Sequence, residues 1–101
     1  MIIIGLTREM ENAPNRPSIH DLIHKPIKEK DKIINYMKKA EVIAVAPAIV
    51  RDILNPETRL PELLLMSDGK YEWRSDIIYY VDKYDMELPD EFIQHVLAQR
   101  K

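Results

Sequence analysis

Apolar residues recur at helical spacing in two segments of the first forty residues. The first segment begins at Ser18, whose hydroxyl can accept a backbone N–H at the start of a helix, and it ends before Pro26. The second covers residues 28–39. The apolar faces are Ile19, Leu22 and Ile23 in the first segment, and Ile33, Ile34 and Met37 in the second. This pattern predicts two helices in the N-terminal half.

A change to β-branched composition follows the second predicted helix. Residues 41–46 are rich in Val and Ile, which favours a strand, and Pro47 interrupts that strand. Residues 49–54 are compatible with either a strand or a helix. Residues 55–58 have the composition of a turn.

A hairpin is the clearest local signal in the sequence. Asp68 and Gly69 lie between two apolar runs, as is typical of a two-residue type I′ turn. Pairing outward from this turn sets Met66 opposite Tyr71. It also sets Leu64 opposite Trp73, so that all four side chains share one face of the hairpin.

Two amphipathic segments at the C-terminal end predict two further helices. Ser75 is a suitable N-cap for a helix over residues 76–84, and residues 88–91 have the proline and acids of a first helical turn. We therefore expect an α+β fold: two N-terminal helices, a small antiparallel β-meander with the Asp68–Gly69 hairpin, and two C-terminal helices.

The chain has the length of one domain, with 101 residues. Residues 1–17 are predicted to form a flexible arm or an edge strand, and residues 18–101 the α+β domain. Met10 is a second plausible start, so we expect residues 1–9 to be dispensable for folding. The apolar opening is too short for a signal peptide, and no apolar stretch approaches the roughly 20 residues of a membrane span.

Composition argues against several classes of function. The absence of cysteine removes thiol chemistry and Cys-rich zinc sites and suits the cytoplasm. The two glycines are too few for a glycine-rich nucleotide loop. Residues 1–60 carry ten Lys or Arg and eight Asp or Glu, whereas residues 61–101 carry five and nine. The lysines of the first half alternate with acids, so we expect no binding to nucleic acid.

Candidate catalytic chemistry is sparse, and we expect a non-enzyme without a cofactor. The three serines have structural roles as caps or as a hairpin flank. His20 and His24 have the i, i+4 spacing that can hold a metal ion on a helix, and His95 lies four residues after Glu91. A metal-dependent hydrolase using the three histidines is therefore one alternative. Polar positions on two amphipathic helices explain the same spacing.

The turn between the last two predicted helices is the best candidate binding surface. Clustered acids attract a basic partner, and tyrosine is frequent at binding hot spots. The predicted contact residues are Tyr79, Asp82, Asp85, Glu87 and Asp90. In the alternative interpretation the acids are helix caps and solvated positions, while Tyr80 and Tyr84 belong to the core.

The same part of the chain resembles a known group of proteins. Asp68-Gly69 and Trp73, then Tyr79-Tyr80-Val81, then Leu88-Pro89 and Phe92, are similar to small bacterial immunity-type proteins of contact-dependent and polymorphic toxin systems. The likeness covers about residues 60–97. It implies a cognate toxin as partner, often a nuclease, whose basic active site the acidic surface would cover.

We therefore expect a cytoplasmic, non-enzymatic protein-binding domain, most concretely an immunity protein that neutralises a bacterial toxin. We expect a monomer or a weak homodimer that binds neither nucleic acid nor membrane. The second alternative is a small structural or regulatory subunit that self-associates through the hairpin edge or the N-terminal arm.

Overall fold

A computed structural model describes residues 2–11, 15–46 and 50–99. These residues form four α-helices, a short 3-10 helix and six strands. In chain order they are β1 (Ile2–Ile3), α1 (Arg8–Glu11), the 3-10 helix (Ile19–Asp21), α2 (Lys30–Lys38), β2 (Glu41–Ala46), β3 (Arg51–Asp52), β4 (Asn55–Arg59), β5 (Leu63–Ser67), β6 (Tyr71–Arg74), α3 (Ser75–Tyr84) and α4 (Asp90–Leu97).

The fold is α+β, but the predicted arrangement of two N-terminal and two C-terminal helices is wrong. Of the elements before α2, α1 has four residues and the segment after Ser18 has only a three-residue 3-10 helix. Ser18 does accept the N–H of His20. His24, however, has a φ of +60° and donates its N–H to the carbonyl of Tyr84 at 2.7 Å. A tertiary hydrogen bond thus replaces the helical one in a segment too short to be stable alone.

The strands form two sheets rather than one meander. The larger sheet has the order β1-β6-β5-β2, in which β1 runs parallel to β6 and the other pairs are antiparallel. Strands β3 and β4 pair only with each other in the described part of the chain. The predicted strand over residues 41–46 is present as β2. Its predicted interruption at Pro47 falls outside the described residues.

The hairpin of β5 and β6 exists, but its predicted register and turn type are wrong. Met66 pairs with Trp73 and Ser67 with Glu72, so the register is two residues from the predicted one. Of the two turn residues only Gly69 has a positive φ, which excludes a type I′ turn. A shift of two residues leaves each side chain on its predicted face, because faces alternate with a period of two.

The core lies between one face of the larger sheet and helices α2, α3 and α4. Trp73 and Phe92 are fully buried, with ring centroids 5.4 Å apart in an edge-on arrangement. The predicted apolar face of α2 is buried: Ile33, Ile34 and Met37. The predicted cap of α3 is wrong, because Ser75 accepts the N–H of Leu64 and the N-cap position is Arg74.

The N-terminal residues pack against this core. Ile4, Leu6 and Thr7 are all buried, and the N–H of Ile4 donates to the carbonyl of Glu72 at 2.9 Å. Gly5, between them, has a φ of +81° and lies directly over Ile77 of α3. Residues 2–7 therefore contribute both a strand and core side chains to the domain.

Candidate functional site

The acidic turn between α3 and α4 is held by contacts with the segment before α2. Asp85 ends α3 in the left-handed region, with a φ of +52°. The N–H of Lys25 donates to its carbonyl at 3.0 Å, and the N–H of Glu87 donates to the carbonyl of Leu22 at 2.7 Å. Lys30, the first residue of α2, donates to the carboxylate of Asp85 at 2.6 Å. The turn is therefore braced and part of its charge is neutralised.

The structure separates the five predicted binding residues into two groups. Asp82, Glu87 and Asp90 are exposed and free to face a partner. Tyr79 is half-buried, and its hydroxyl donates to Oδ2 of Asp52 at 2.7 Å. Asp85 is engaged with Lys30. Three exposed acids remain as the predicted contact surface, whereas Tyr79 and Asp85 make contacts inside the domain.

Asp52 explains why the tyrosines of α3 point inward. This carboxylate is fully buried, and it accepts the hydroxyls of Tyr79 and Tyr84, each at 2.7 Å. Oδ1 accepts the N–H groups of Leu54 and Asn55. Burial alone would raise the pKa of Asp52, but these four donors hold that pKa below its ordinary value of 3.8. The cluster joins the β3–β4 hairpin to α3.

The histidines of the metal-hydrolase alternative do not come together as ligands. His20 lies in the 3-10 helix and His24 follows it in a left-handed conformation, so the two do not share a helix face. His95 contacts the carboxylate of Asp68 instead of Glu91. Within the described residues, no group of three or more His, Cys, Asp or Glu side chains could hold a metal ion.

A second polar cluster, which the sequence reasoning missed, surrounds Asp68. Its Oδ2 lies 2.5 Å from the hydroxyl of Tyr36 on α2 and 2.9 Å from Nε2 of His95 on α4. Its Oδ1 accepts the N–H groups of Lys70 and Tyr71, at 2.9 and 2.8 Å. The turn signal Asp68-Gly69 marked this residue, but nothing local in the sequence pointed to its partners on two helices.

Burial and hydrogen bonding act in opposite directions on the pKa of Asp68 and in the same direction on that of Tyr36. Burial alone would raise the pKa of Asp68, but hydrogen bonds from Tyr36, the two backbone groups and His95 hold that pKa at about 2. Burial and the neighbouring carboxylate raise the pKa of Tyr36 well above its ordinary value. Asp68 is therefore ionised and Tyr36 protonated at neutral pH. Because a carboxylate can only accept, Nε2 of His95 is a donor here.

Strand β2 is the second feature that the sequence reasoning did not identify as a surface. It is an outer strand of the larger sheet, and no described strand pairs with its far edge. Val42, Ile43 and Val45 are 44%, 43% and 54% exposed. A six-residue strand with three exposed aliphatic side chains is uncommon at an unpaired sheet edge.

Comparisons with family models, with curated proteins and with solved structures found no match. None of the helices in the described residues has the length and apolar character needed to cross a membrane.

Proposed function

We propose that this protein is a protein-binding domain that adds a strand of its partner to the outer edge of β2. The observation that carries the proposal is the exposure of Val42, Ile43 and Val45 on this strand. An extended peptide pairs with such an edge through main-chain hydrogen bonds, while its alternate side chains contact the exposed apolar ones.

The two outer strands of the sheet differ in how well they could accept a partner. Strand β1 has only two residues. Strand β2 has six, and its protective features are the acid Glu41 at its start and a bulge between Val42 and Ala44. Proteins usually shorten, charge or cover an exposed edge because it pairs readily with other chains. The longer, apolar edge of β2 is therefore the better candidate for recognition.

The resemblance to immunity-type proteins makes a cognate bacterial toxin the first partner to test. In this proposal the protein acts in the cytoplasm without catalysis, and it blocks the active site of the toxin. The exposed acids Asp82, Glu87 and Asp90 would attract a basic toxin domain and speed association.

The acidic turn and β2 are separate surfaces. Asp85 of the turn pairs with Lys30 at the first residue of α2, whereas β2 begins three residues after the last, Lys38. The nine residues of α2 separate the two by about 12 Å along the helix axis. Asp82 lies nearer to β2, because it lines one cleft together with Lys38 and with Met66, the pairing partner of Val42. Glu87 and Asp90 are therefore the acids to substitute when the two surfaces are tested independently.

Self-association is the second candidate function, and the same strand supports it. A second copy could pair its own β2 antiparallel to the first and extend the sheet about a two-fold axis. Both functions use one edge, but only self-association depends on the concentration of this protein alone.

A matched pair of substitutions tests both functions. Val45→Lys places a charge on the β2 edge, and Ile3→Lys makes the same change on β1, where Ile3 is 45% exposed. Of the two variants, we expect only Val45→Lys to lose binding to a cognate toxin encoded by a neighbouring gene, as measured by calorimetry. Thermal midpoints should stay near wild type for both, since the two sites are exposed.

Sedimentation velocity on the same variants separates the candidates. A concentration-dependent dimer that Val45→Lys abolishes would support self-association. A monomer at all concentrations, with toxin binding lost in Val45→Lys, would support the immunity function. Equal binding by wild type and Val45→Lys would refute the assignment of β2 as the contact.

A further inference from the structure

A cleft of about 660 Å³ lies beside the Asp68 cluster, between α2 and the end of α4. Lys32, Tyr36 and Lys39 line one side, Val96 and Gln99 the other, and Asp68 borders it. The volume is within the range of roughly 300–1,000 Å³ that is usual for small-molecule sites. None of the β2 residues lines the cleft, so it is independent of the proposed protein-binding edge.

Asp68 offers no acceptor to a ligand in this cleft. Both oxygens are occupied, Oδ1 by two backbone N–H groups and Oδ2 by Tyr36 and His95. The side chain of Asp68 is only 9% exposed. Its negative charge is therefore screened from the cleft by four donors, and the remaining polar groups decide which ligands fit.

The remaining polar groups are two cations, Lys32 and Lys39, and the neutral side chains of Asn35, Tyr36 and Gln99. Lys32 and Lys39 are exposed and lie seven residues apart, about 10 Å along the axis of α2, with Tyr36 between them. Lys32 makes a loose ion pair with Glu29 at 3.6 Å. Lys39 makes no ion pair with any residue that the structure describes. An anion between the two ammonium groups would gain hydrogen bonds without displacing a strong existing contact.

Val96, Ala40 and the ring of Tyr36 form an apolar part of the same cleft. An aromatic body would contact these groups and could pack against the ring of Tyr36 in an offset or edge-on geometry. The cleft therefore combines an apolar wall with two positive charges at its rim.

We propose that this cleft binds a small organic anion, namely a carboxylate or a phosphate monoester attached to a flat apolar ring. The anionic group lies between Lys32 and Lys39, and the ring lies against Val96 and Tyr36. The Asp68 cluster keeps α2 and α4 at a constant separation, so that the cleft exists before a ligand binds.

Titration followed by amide NMR shifts tests this proposal on the full chain. The probes are 2-naphthoate and 2-naphthyl phosphate, which distinguish the two anions, and the neutral analogue 2-naphthamide. We expect at least one anion to shift the amide signals of Tyr36, Val96 and Gln99, and to bind more weakly as salt is added. The neutral analogue should bind at least about fivefold more weakly.

Two substitutions at the C-terminal end of α2, one at its last residue and one at its C-cap, provide the matched comparison. Lys39→Met keeps the length of the side chain and removes the charge, and we expect it to weaken anion binding about fivefold. Lys38→Met makes the same change on the neighbouring residue, which lines a different cleft, and should leave binding within about twofold. Lys32→Met provides a second test at the other side of the site.

Three results would overturn the proposal. They are the absence of shifts with both anions at millimolar concentration, equal binding of 2-naphthamide, and equal losses in Lys38→Met and Lys39→Met.

Discussion

The hydroxyl of Tyr36 donates a hydrogen bond to the carboxylate of Asp68 across 2.5 Å, and so attaches α2 to the turn between β5 and β6. The same carboxylate contacts His95 of α4 at 2.9 Å. One side chain thus joins two helices and a hairpin that are far apart in sequence. Loss of the Asp68 carboxylate should therefore weaken the attachment of α2 and α4 to the hairpin, and not only the turn itself.

Removing the hydroxyl of Tyr36 tests this role. Tyr36→Phe keeps the ring, which lies 6.5 Å from Trp73 and 6.4 Å from Phe92 between centroids. We expect the free energy of unfolding to fall by about 1.5–3 kcal/mol, because the lost bond is to a charged acceptor. Urea denaturation at neutral pH measures this loss in the free energy of unfolding. In an Asp68→Asn background the same change should have a smaller effect. Simple additivity of the two losses would contradict a direct coupling.

Acid should destabilise the protein partly through Asp68. The pKa of this carboxylate is about 2 in the folded protein, and unfolding returns it to its ordinary value of 3.8. Its contribution is therefore complete above about pH 5 and is lost progressively as the pH falls through the folded-state value towards about 1. We expect wild type to lose stability across this window more steeply than Asp68→Asn, in urea titrations at a series of pH values. The other acids titrate in both proteins, so parallel curves would contradict the assignment.

Gly5 should tolerate no side chain. A Cβ atom at this position would lie 2.8 Å from Cγ2 of the buried Ile77, and the φ is +81°. Gly5→Ala combines backbone strain with overpacking, and we expect a loss of about 2–4 kcal/mol in the free energy of unfolding. Gly69→Ala is the matched control, because its φ is +100° but no atom beyond its two chain neighbours lies within 4 Å of the added Cβ.

Backbone strain alone should make Gly69→Ala cost about 1–2 kcal/mol. Chemical denaturation of both variants measures the difference between them. Equal losses at the two positions would show that contact with Ile77 does not limit position 5.

Tyr79 should act on stability rather than on partner binding. Its hydroxyl donates to the buried carboxylate of Asp52, so Tyr79→Phe removes one of four hydrogen bonds to that group. We expect a loss of about 1–3 kcal/mol in thermal or urea unfolding. Asp82→Ala, at an exposed position on the same helix, should change stability by less than about 0.5 kcal/mol. A Tyr79→Phe variant with wild-type stability would instead favour the predicted role as a binding anchor.

Removal of residues 1–9 should destabilise the domain. The truncation deletes β1 and the buried side chains of Ile4 and Leu6, each contributing roughly 1.5–3 kcal/mol by burial. This is the opposite of what the second methionine at Met10 suggests. Ile2→Ser, at a position 45% exposed on the same strand, is the control and should have a small effect. An unchanged urea midpoint for the truncated chain would contradict this role.

Local signals predicted the elements whose structure depends on near neighbours. The apolar stripe of α2, the helical spacing of α3 and α4, and the presence of a hairpin at Asp68-Gly69 all follow from residues a few positions apart. The prediction of a helix after Ser18 was wrong because this segment is too short to form a stable helix alone. The N–H groups of His24 and Lys25 donate instead to the carbonyls of Tyr84 and Asp85. No local sequence pattern reveals these distant acceptors.

The acidic turn was recognisable from the sequence because its acids are adjacent in the chain. The two polar clusters were not, since their members are distant. Tyr36 and His95 lie 32 and 27 positions from Asp68, and Tyr79 lies 27 positions from Asp52. Sequence reasoning therefore treated Asp68 as a turn residue and Tyr79 as an exposed one.

By itself, the sequence determined the α+β composition, the face that α2 buries, and the position of one hairpin, because hydrophobic periodicity and turn chemistry act over short distances. Only the tertiary structure decided the hairpin register, the inward direction of Tyr79 and the exposure of β2. These depend on which distant donors reach a buried carboxylate, and on which strand of the sheet remains without a neighbour.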